Sequence, residues 1–412
     1  MPTTPSKSAP PRAISYRWVM LAVYYLGGIA FGITFQSIPA LLPLIIADLR
    51  LSYAEAGSLQ SLFALLGFLL AIPVGLMADR RHGERSILVA AYSAMIVGTL
   101  VVATASSYPM LLVGRLIAGA GGFSTTITVA RLVSHWFTGR ELGVGMGLHS
   151  TAMPVATILS LSLLGDFGRA AGWPIAALIG PGITTIALLA LLLFYRPSPG
   201  SRIGSSRPLA GQSLLRKTMS VGLPVWLVGM IWLWFNASTL SFLTFGPTYF
   251  SARGFGLGIA GFLSSVQMMG SLFVSPLVGF LLDKYRRPEL YMGIGSLLVA
   301  FAITLIPTSL TPILVPLCIL SIGSAFIPTS VLYLPSEVAR PQDRGLAFGI
   351  INTCLTAGII VGPFLVGLAR DASGSYELGF AMMAAFAVMG GATASILKIV
   401  RKKTVTRHVL EG

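Results

Sequence analysis

Residues 75–80 read Gly75-Leu-Met-Ala-Asp79-Arg80, and residues 279–284 read Gly279-Phe-Leu-Leu-Asp283-Lys284, an offset of 204. Each hexapeptide closes an apolar run of membrane-crossing length and leads into a basic loop. A second pair recurs at nearly the same distance: Gly143 and Gly147 open one apolar run, and Gly345 and Gly349 open another, 202 residues on. The chain of 412 residues therefore carries one pattern twice. Working outward from these two copies, the apolar runs between them set the architecture.

Hydrophobic residues make up 55% of the chain and charged residues 10%, with a mean hydropathy of +0.83. Soluble domains carry about 25% charged residues. The composition excludes a soluble enzyme and a secreted disulfide scaffold. It also excludes an outer-membrane barrel, whose strands alternate apolar and polar residues instead of forming long apolar runs. Windows of about 19 residues place six spans at 17–46, 55–77, 86–106, 110–135, 141–164 and 172–195. Six more fall at 221–250, 258–281, 290–307, 311–335, 343–369 and 375–398. The expectation is an all-α membrane protein of twelve transmembrane helices in two pseudo-symmetric six-helix halves, 17–195 and 221–398. A tail, 1–16, precedes them; 196–220, rich in Pro, Ser, Gly and Arg, reads as a linker; 399–412 is a basic tail. The first apolar run is too long and begins too late for a cleaved signal peptide.

The net charge of +15 is not spread evenly. Counting Lys and Arg over alternate loops and both tails gives 22 on one side. The other side has four, Arg50, Arg169, Arg253 and Arg370, and Arg115 and Arg131 lie within the fourth span. Basic loops stay in the cytoplasm, so both termini are expected there, in a multi-pass protein of the inner membrane. No basic soluble domain exists to bind nucleic acid. Cys318 and Cys354 lie within spans and read as buried small hydrophobes.

At the end of span 2, Gly75 permits close helix approach and Asp79 is placed to face a neighbouring helix N-terminus, with Arg80 beside it. This loop resembles the G-x-L-x-D-R-x-G-R-R signature of the major facilitator superfamily, although Gly83 stands one residue late. Asp283 and Lys284 close the weaker copy. The segment Arg115-Leu-Ile-Ala-Gly119 resembles the R-x-x-x-G element of the same family. The resemblance implies secondary transport by alternating access, with Gly75, Asp79, Arg80, Asp283 and Lys284 gating the cytoplasmic side.

An arginine inside a span is costly unless it serves a function, so Arg115 is the first candidate for substrate binding. Arg131, 16 residues later and about 24 Å further along the helix, is expected near the cytoplasmic end with a structural partner such as Asp79. His149 is the one histidine near a span centre, and an ordinary pKa of about 6.5 suits it to carrying a proton. Asn236, Gln267 and Asn352 are near-central polar groups; Gln36, Tyr24 and Tyr333 lie further out. Any of them can orient a substrate or hold helices together. The thirteen acidic residues, among them Asp48, Glu55, Asp166, Glu337 and Asp371, fall in loops, tails or span ends. A cavity without a central acid favours an anion or a neutral solute over a cation.

The run His135-Trp-Phe-Thr-Gly-Arg140-Glu-Leu-Gly143 resembles the W-F-x-x-R-x-x-G stretch of the oxalate/formate, monocarboxylate, cyanate-type and organic anion:proton carriers. That likeness implies a small organic anion as substrate, monocarboxylate-like, moved by proton symport or by exchange, with no cofactor and a monomer in the lipid bilayer. The first alternative is a proton-coupled exporter of hydrophobic drugs, disfavoured because span 5 lacks the G-x-x-x-G-P-x-x-G-G signature. A membrane receptor that has lost transport is a remote one. Asn236-Ala-Ser238 matches a glycosylation sequon in mid-span, out of reach. The glycines 119–122 are not a nucleotide loop, because no strand precedes them and no Lys-Ser/Thr follows.

Overall fold

The computed structural model describes residues 11–78, 83–137, 141–197, 222–308, 310–334 and 344–410. The first half of the chain forms α1 (Pro11–Leu49), α2 (Tyr53–Ala78), α3 (Gly83–Ala103), α4 (Tyr108–Trp136), α5 (Leu142–Ser150), α6 (Ala152–Ala171), α7 (Trp173–Ala177) and α8 (Ile179–Phe194). The second half forms α9 (Leu223–Ala252), α10 (Leu257–Phe273), α11 (Ser275–Tyr285), α12 (Pro288–Leu305), α13 (Leu314–Tyr333), α14 (Arg344–Ser373) and α15 (Glu377–Leu410). Eleven stretches are long and apolar enough to cross a membrane, with α5 and α6 counted as one and α7 and α8 as another. The pair α10 and α11, bent by 41°, makes a twelfth if it is one span. Pro276, in the first turn of α11, supplies a reason for that break, because it lacks the N–H that would bond back to α10.

The predicted spans and the observed helices overlap throughout. Several helices extend past the apolar runs, as at α1, which reaches from Pro11 to Leu49 against a predicted 17–46, while α13, Leu314–Tyr333, is shorter than its predicted 311–335. Backbone that leaves lipid keeps its internal hydrogen bonds until a turn residue stops it.

Helices α1–α8 pack chiefly on one another, and so do α9–α15; α2 on α14, α6 on α10 and α1 on α9 join the two sets. Because α2 begins against the end of α14 and α10 begins against the end of α6, these four termini share one end of the bundle. We call it the distal end; the start of α1 and the end of α15 lie at the other, the terminal end.

Close packing of α4 explains the glycines at 119–122. A Cβ on Gly119 would lie 1.9 Å from the carbonyl oxygen of Phe63 on α2, and one on Gly121 would lie 2.2 Å from that of Ala91 on α3. Small residues at helix contacts let backbones meet directly in a bilayer, where no hydrophobic force drives the helices together. At Gly147, by contrast, nothing comes within 4 Å. Gly119→Ala is therefore expected to destabilise by about 1–3 kcal/mol through overpacking, read as a lowered melting temperature in detergent. Gly147→Ala is expected to leave it unchanged or raise it slightly.

Candidate functional site

Arg115 lies seven residues into α4, about 10 Å from its distal start. It is 1% exposed. Its Nε donates to the carbonyl of Leu59 at 3.0 Å, one terminal nitrogen to that of Thr34 at 3.0 Å, and the other to that of Phe35 at 3.4 Å and to Gln60 Oε1 at 2.9 Å. All but one of its N–H donors are thereby engaged. The guanidinium also lies over the Phe63 ring, 4.1 Å from its centroid. None of these partners is a carboxylate. The positive charge is met by main-chain dipoles, an amide and a π face, and the side chain ties α1 and α2 to α4.

His149 lies on the last turn of α5, two residues before Thr151. Its ring packs on α1, where a Cβ on Gly28 would be 3.4 Å from its Cε1, and its Nδ1 is buried with no hydrogen-bond partner. One turn away on α1, the Tyr25 hydroxyl lies 3.2 Å from Thr151 Oγ1. Tyr25 and Thr151 escaped the sequence reading. The interruption between α5 and α6 beside a histidine is their one marker; the Thr151 hydroxyl donates to the Leu148 carbonyl at 2.8 Å, so it meets Tyr25 as an acceptor.

The other predicted residues are dispersed. Gln36 is fully buried and donates to Thr157 Oγ1 on α6 at 3.3 Å; its carbonyl oxygen has no partner. It shares a turn of α1 with Thr34 and Phe35, so it adjoins the Arg115 cage. Gln267 on α10 mirrors it, fully buried, donating to the Thr239 carbonyl on α9 at 3.2 Å, with its own oxygen unpartnered. Asn236 is turned onto its own helix, donating to the Trp232 carbonyl at 2.8 Å. Asn352 is exposed on α14. Tyr24 is buried with Tyr92, Val133, Phe137 and Leu191 near the terminal end, inside the first helix set. Tyr333 packs against Val278, Leu282 and Ala325.

Ionic contacts gather at the terminal end. Glu84, at the start of α3, lies 3.4 Å from Arg131 Nε and 3.5 Å from His135 Nδ1. Arg17 pairs with Glu141, and Arg401 with Glu289. Burial, with Glu84 nearby, pushes the Tyr195 phenol up to about 12, against an opposing effect of Arg85. Asp283 and Lys284 are exposed at the end of α11. Gly75 lies in the last turns of α2; Asp79 and Arg80 fall outside the described residues. Among the described residues no group of His, Cys, Asp and Glu is placed to hold a metal ion. Every described acidic side chain lies close to a helix end.

The profile of the Major Facilitator Superfamily matches residues 24–269 and 252–410. A probable sulfoacetate transporter, SauU of Cupriavidus necator, is 26% identical, over 86% of this chain and 87% of its own. A probable nitrate/nitrite transporter, NarK2 of Mycobacterium tuberculosis, is also 26% identical, over 83% of this chain and 87% of its own. The lysosomal dipeptide transporter MFSD1 of Homo sapiens is 22% identical, over 88% and 82% respectively. Among solved structures, a bacterial homolog of the human lysosomal transporter Spinster, in an inward-facing and unoccupied conformation, has a TM-score of 0.74 at 20% identity. That match covers 97% of this chain and 99% of the other. A POT family transporter in complex with 5-aminolevulinic acid has the same TM-score at 12% identity, covering 93% and 96%. With the family profile matched over nearly the whole chain and the same all-helical fold throughout, this protein belongs to the Major Facilitator Superfamily and is a transporter, not an enzyme.

Proposed function

We propose that this transporter moves a small organic anion across the inner membrane by alternating access, coupled to protons or to counter-anion exchange. In this reading the bent pair α10–α11 is one span, giving twelve in two halves, 17–195 and 221–398, joined by the linker 196–220. The protein acts as a monomer. The 22-to-4 count of basic residues assigns the terminal end to the cytoplasm.

One observation carries the anion reading: Arg115 is a buried cation whose partners include no carboxylate, while every described acid stands near a helix end. An uncompensated charge in a low-dielectric interior imposes its sign over a long range. Because its donors are held by carbonyls, Arg115 acts through its field, and the polar contacts to substrate come from His149, Tyr25 and Thr151 beside the α5–α6 break. The sulfoacetate and nitrate/nitrite relatives, named for anions, support the same sign. Gly75, Asp79, Arg80, Arg131, Asp283 and Lys284 gate the cytoplasmic side in this scheme without touching substrate.

The test is uptake into proteoliposomes across labelled small carboxylates and sulfonates, with dipeptides and lipophilic cations beside them, with and without an inward proton gradient. Saturable uptake of one anion is expected. Arg115→Gln is expected to abolish it, and Arg115→Lys, which keeps the charge but loses the planar fork, to retain transport with a raised KM. If the two variants lost uptake equally while melting like the parent, the electrostatic role of Arg115 would be wrong. If no anion moved and lipophilic cations did, the substrate class would be wrong.

A second expectation concerns the proton. His149→Gln keeps a hydrogen-bonding side chain but cannot titrate, so gradient-driven uptake should fall while anion-for-anion exchange persists. Full gradient stimulation in that variant would remove His149 from the coupling step.

A further inference from the structure

At the distal end, two aspartates reach across from one helix set to the other. Asp371, near the end of α14, accepts the backbone N–H groups of Tyr53 at 2.9 Å and Ala54 at 2.7 Å through its two oxygens. These are first-turn donors of α2, which have no partner within their own helix. The local sequence explains why they are left over. Ser52 and Glu55 satisfy each other in a capping box, Glu55 N–H to Ser52 Oγ at 3.1 Å and Ser52 N–H to Glu55 Oε2 at 2.9 Å. Tyr53 and Ala54 remain for Asp371.

The other seam repeats the device in reverse. Asp166, near the end of α6, accepts the N–H of Gly258, in the first turn of α10, at 2.9 Å. Gly258 stands 204 residues after Ala54, the offset of the sequence repeat. Each half thus caps a helix of the other with a carboxylate, where the helix dipole favours a negative charge.

Directly below the caps the backbones are jammed together. A Cβ on Gly57 would lie 2.2 Å from the Pro363 carbonyl oxygen, and one on Gly261 would lie 1.6 Å from that of Leu161. At the terminal end, Cβ atoms on Gly143, Gly147 and Gly349 would meet nothing within 4 Å among the described residues. The two seams are not equal. The α2–α14 seam also holds a hydrogen bond between the hydroxyls of Tyr53 and Tyr376 at 2.9 Å. The Arg370 guanidinium lies against both rings, 4.8 and 4.5 Å from their centroids.

We propose that Asp371 and Asp166 are a paired latch that holds the distal mouth of the transporter shut, with Asp371 the stronger member. The inference rests on the alternating-access reading above. Among the described residues both carboxylates bond across the seam, at distances that any parting of the distal ends breaks. Loss of either therefore moves the population towards the state open at that end. A helix cap is worth a factor of roughly five in an equilibrium. The single variants should shift the open-to-closed ratio by about that much and, if independent, the double variant by roughly 25-fold.

The experiment measures spin-label distances across the distal mouth. Labels at Ser106, between α3 and α4, and Leu310, between α12 and α13, are placed in the purified full-length protein in lipid nanodiscs, with Cys318 and Cys354 replaced by alanine. Asp371→Ala is expected to add a longer-distance population, Asp166→Ala a smaller one, and the double variant the largest. Asp48→Ala is the control, because Asp48 bonds the Trp173 indole at 2.8 Å within its own half at the same end; it should give the parent distribution. Parent-like distances in the double variant would overturn the latch, as would equal widening in Asp48→Ala. The readout needs no substrate. A widened mouth with no anion uptake would sink the substrate reading alone, and anion uptake with unchanged distances would sink the latch alone.

Discussion

A guanidinium placed inside an apolar helix bundle without an acid beside it must be solvated by whatever oxygen the bundle has, and a helix interior offers its own carbonyls. That requirement organises the first half of this protein. The Phe35 carbonyl is freed for Arg115 by Pro39, which has no N–H to return to it, while the Thr34 carbonyl accepts from the Ser37 hydroxyl at 2.9 Å as well as from Arg115. Such bonds demand close approach. Gly119, one turn along α4 from Arg115, brings the helix against the Phe63 backbone, and the Phe63 ring then lies under the guanidinium. The glycine and the arginine are two parts of one contact. Its by-product is a fixed positive potential inside the half, on which the proposal of an anionic cargo rests.

Much of the architecture was legible in the chain. Span positions followed from apolar length, since a bilayer leaves the backbone few alternatives. The repeat's offset of 204 reappears at the seams, between Ala54 and Gly258, but which helices pair there was not readable from it. Arg115 stood out by depth alone, but its partners did not, because main-chain carbonyls carry no residue signature. For the same reason Asp166 and Asp371 read as ordinary loop acids: their acceptors' targets are N–H groups that every residue except proline possesses. The Ser52–Glu55 capping box was readable in principle, and with it the two donors it leaves over. Tyr25 and Thr151 were hidden for another reason: their polar atoms meet only through the packing of α1 beside the α5–α6 junction.

The polar residues at mid-span meet different kinds of partner. Gln36 and Gln267 occupy matching situations in opposite halves, each donating to a threonine on a neighbouring helix and each left with an unpartnered oxygen. Asn236 is turned onto its own backbone instead. Helical period cannot separate these cases when a helix is surrounded on most sides. The glycines teach the same point. Gly57 and Gly261 are pressed against backbone while Gly147 and Gly349 stand clear, and residue type alone does not distinguish the two conditions.

The two seams also differ along their length. On one, α2 and α14 run unbroken through the bundle, from Tyr53 to Ala78 and from Arg344 to Ser373. On the other, α10 gives way to α11 at Val274 with a bend of 41°, whereas α5 and α6 pass through Thr151, which keeps helical dihedrals, as one apolar stretch from Leu142 to Ala171. On one flank, then, the halves meet along two unbroken rods, and on the other, one of the two partners carries a bend. Arg115, on α4, is braced against the unbroken flank through α2, whereas His149 belongs to the flank that bends.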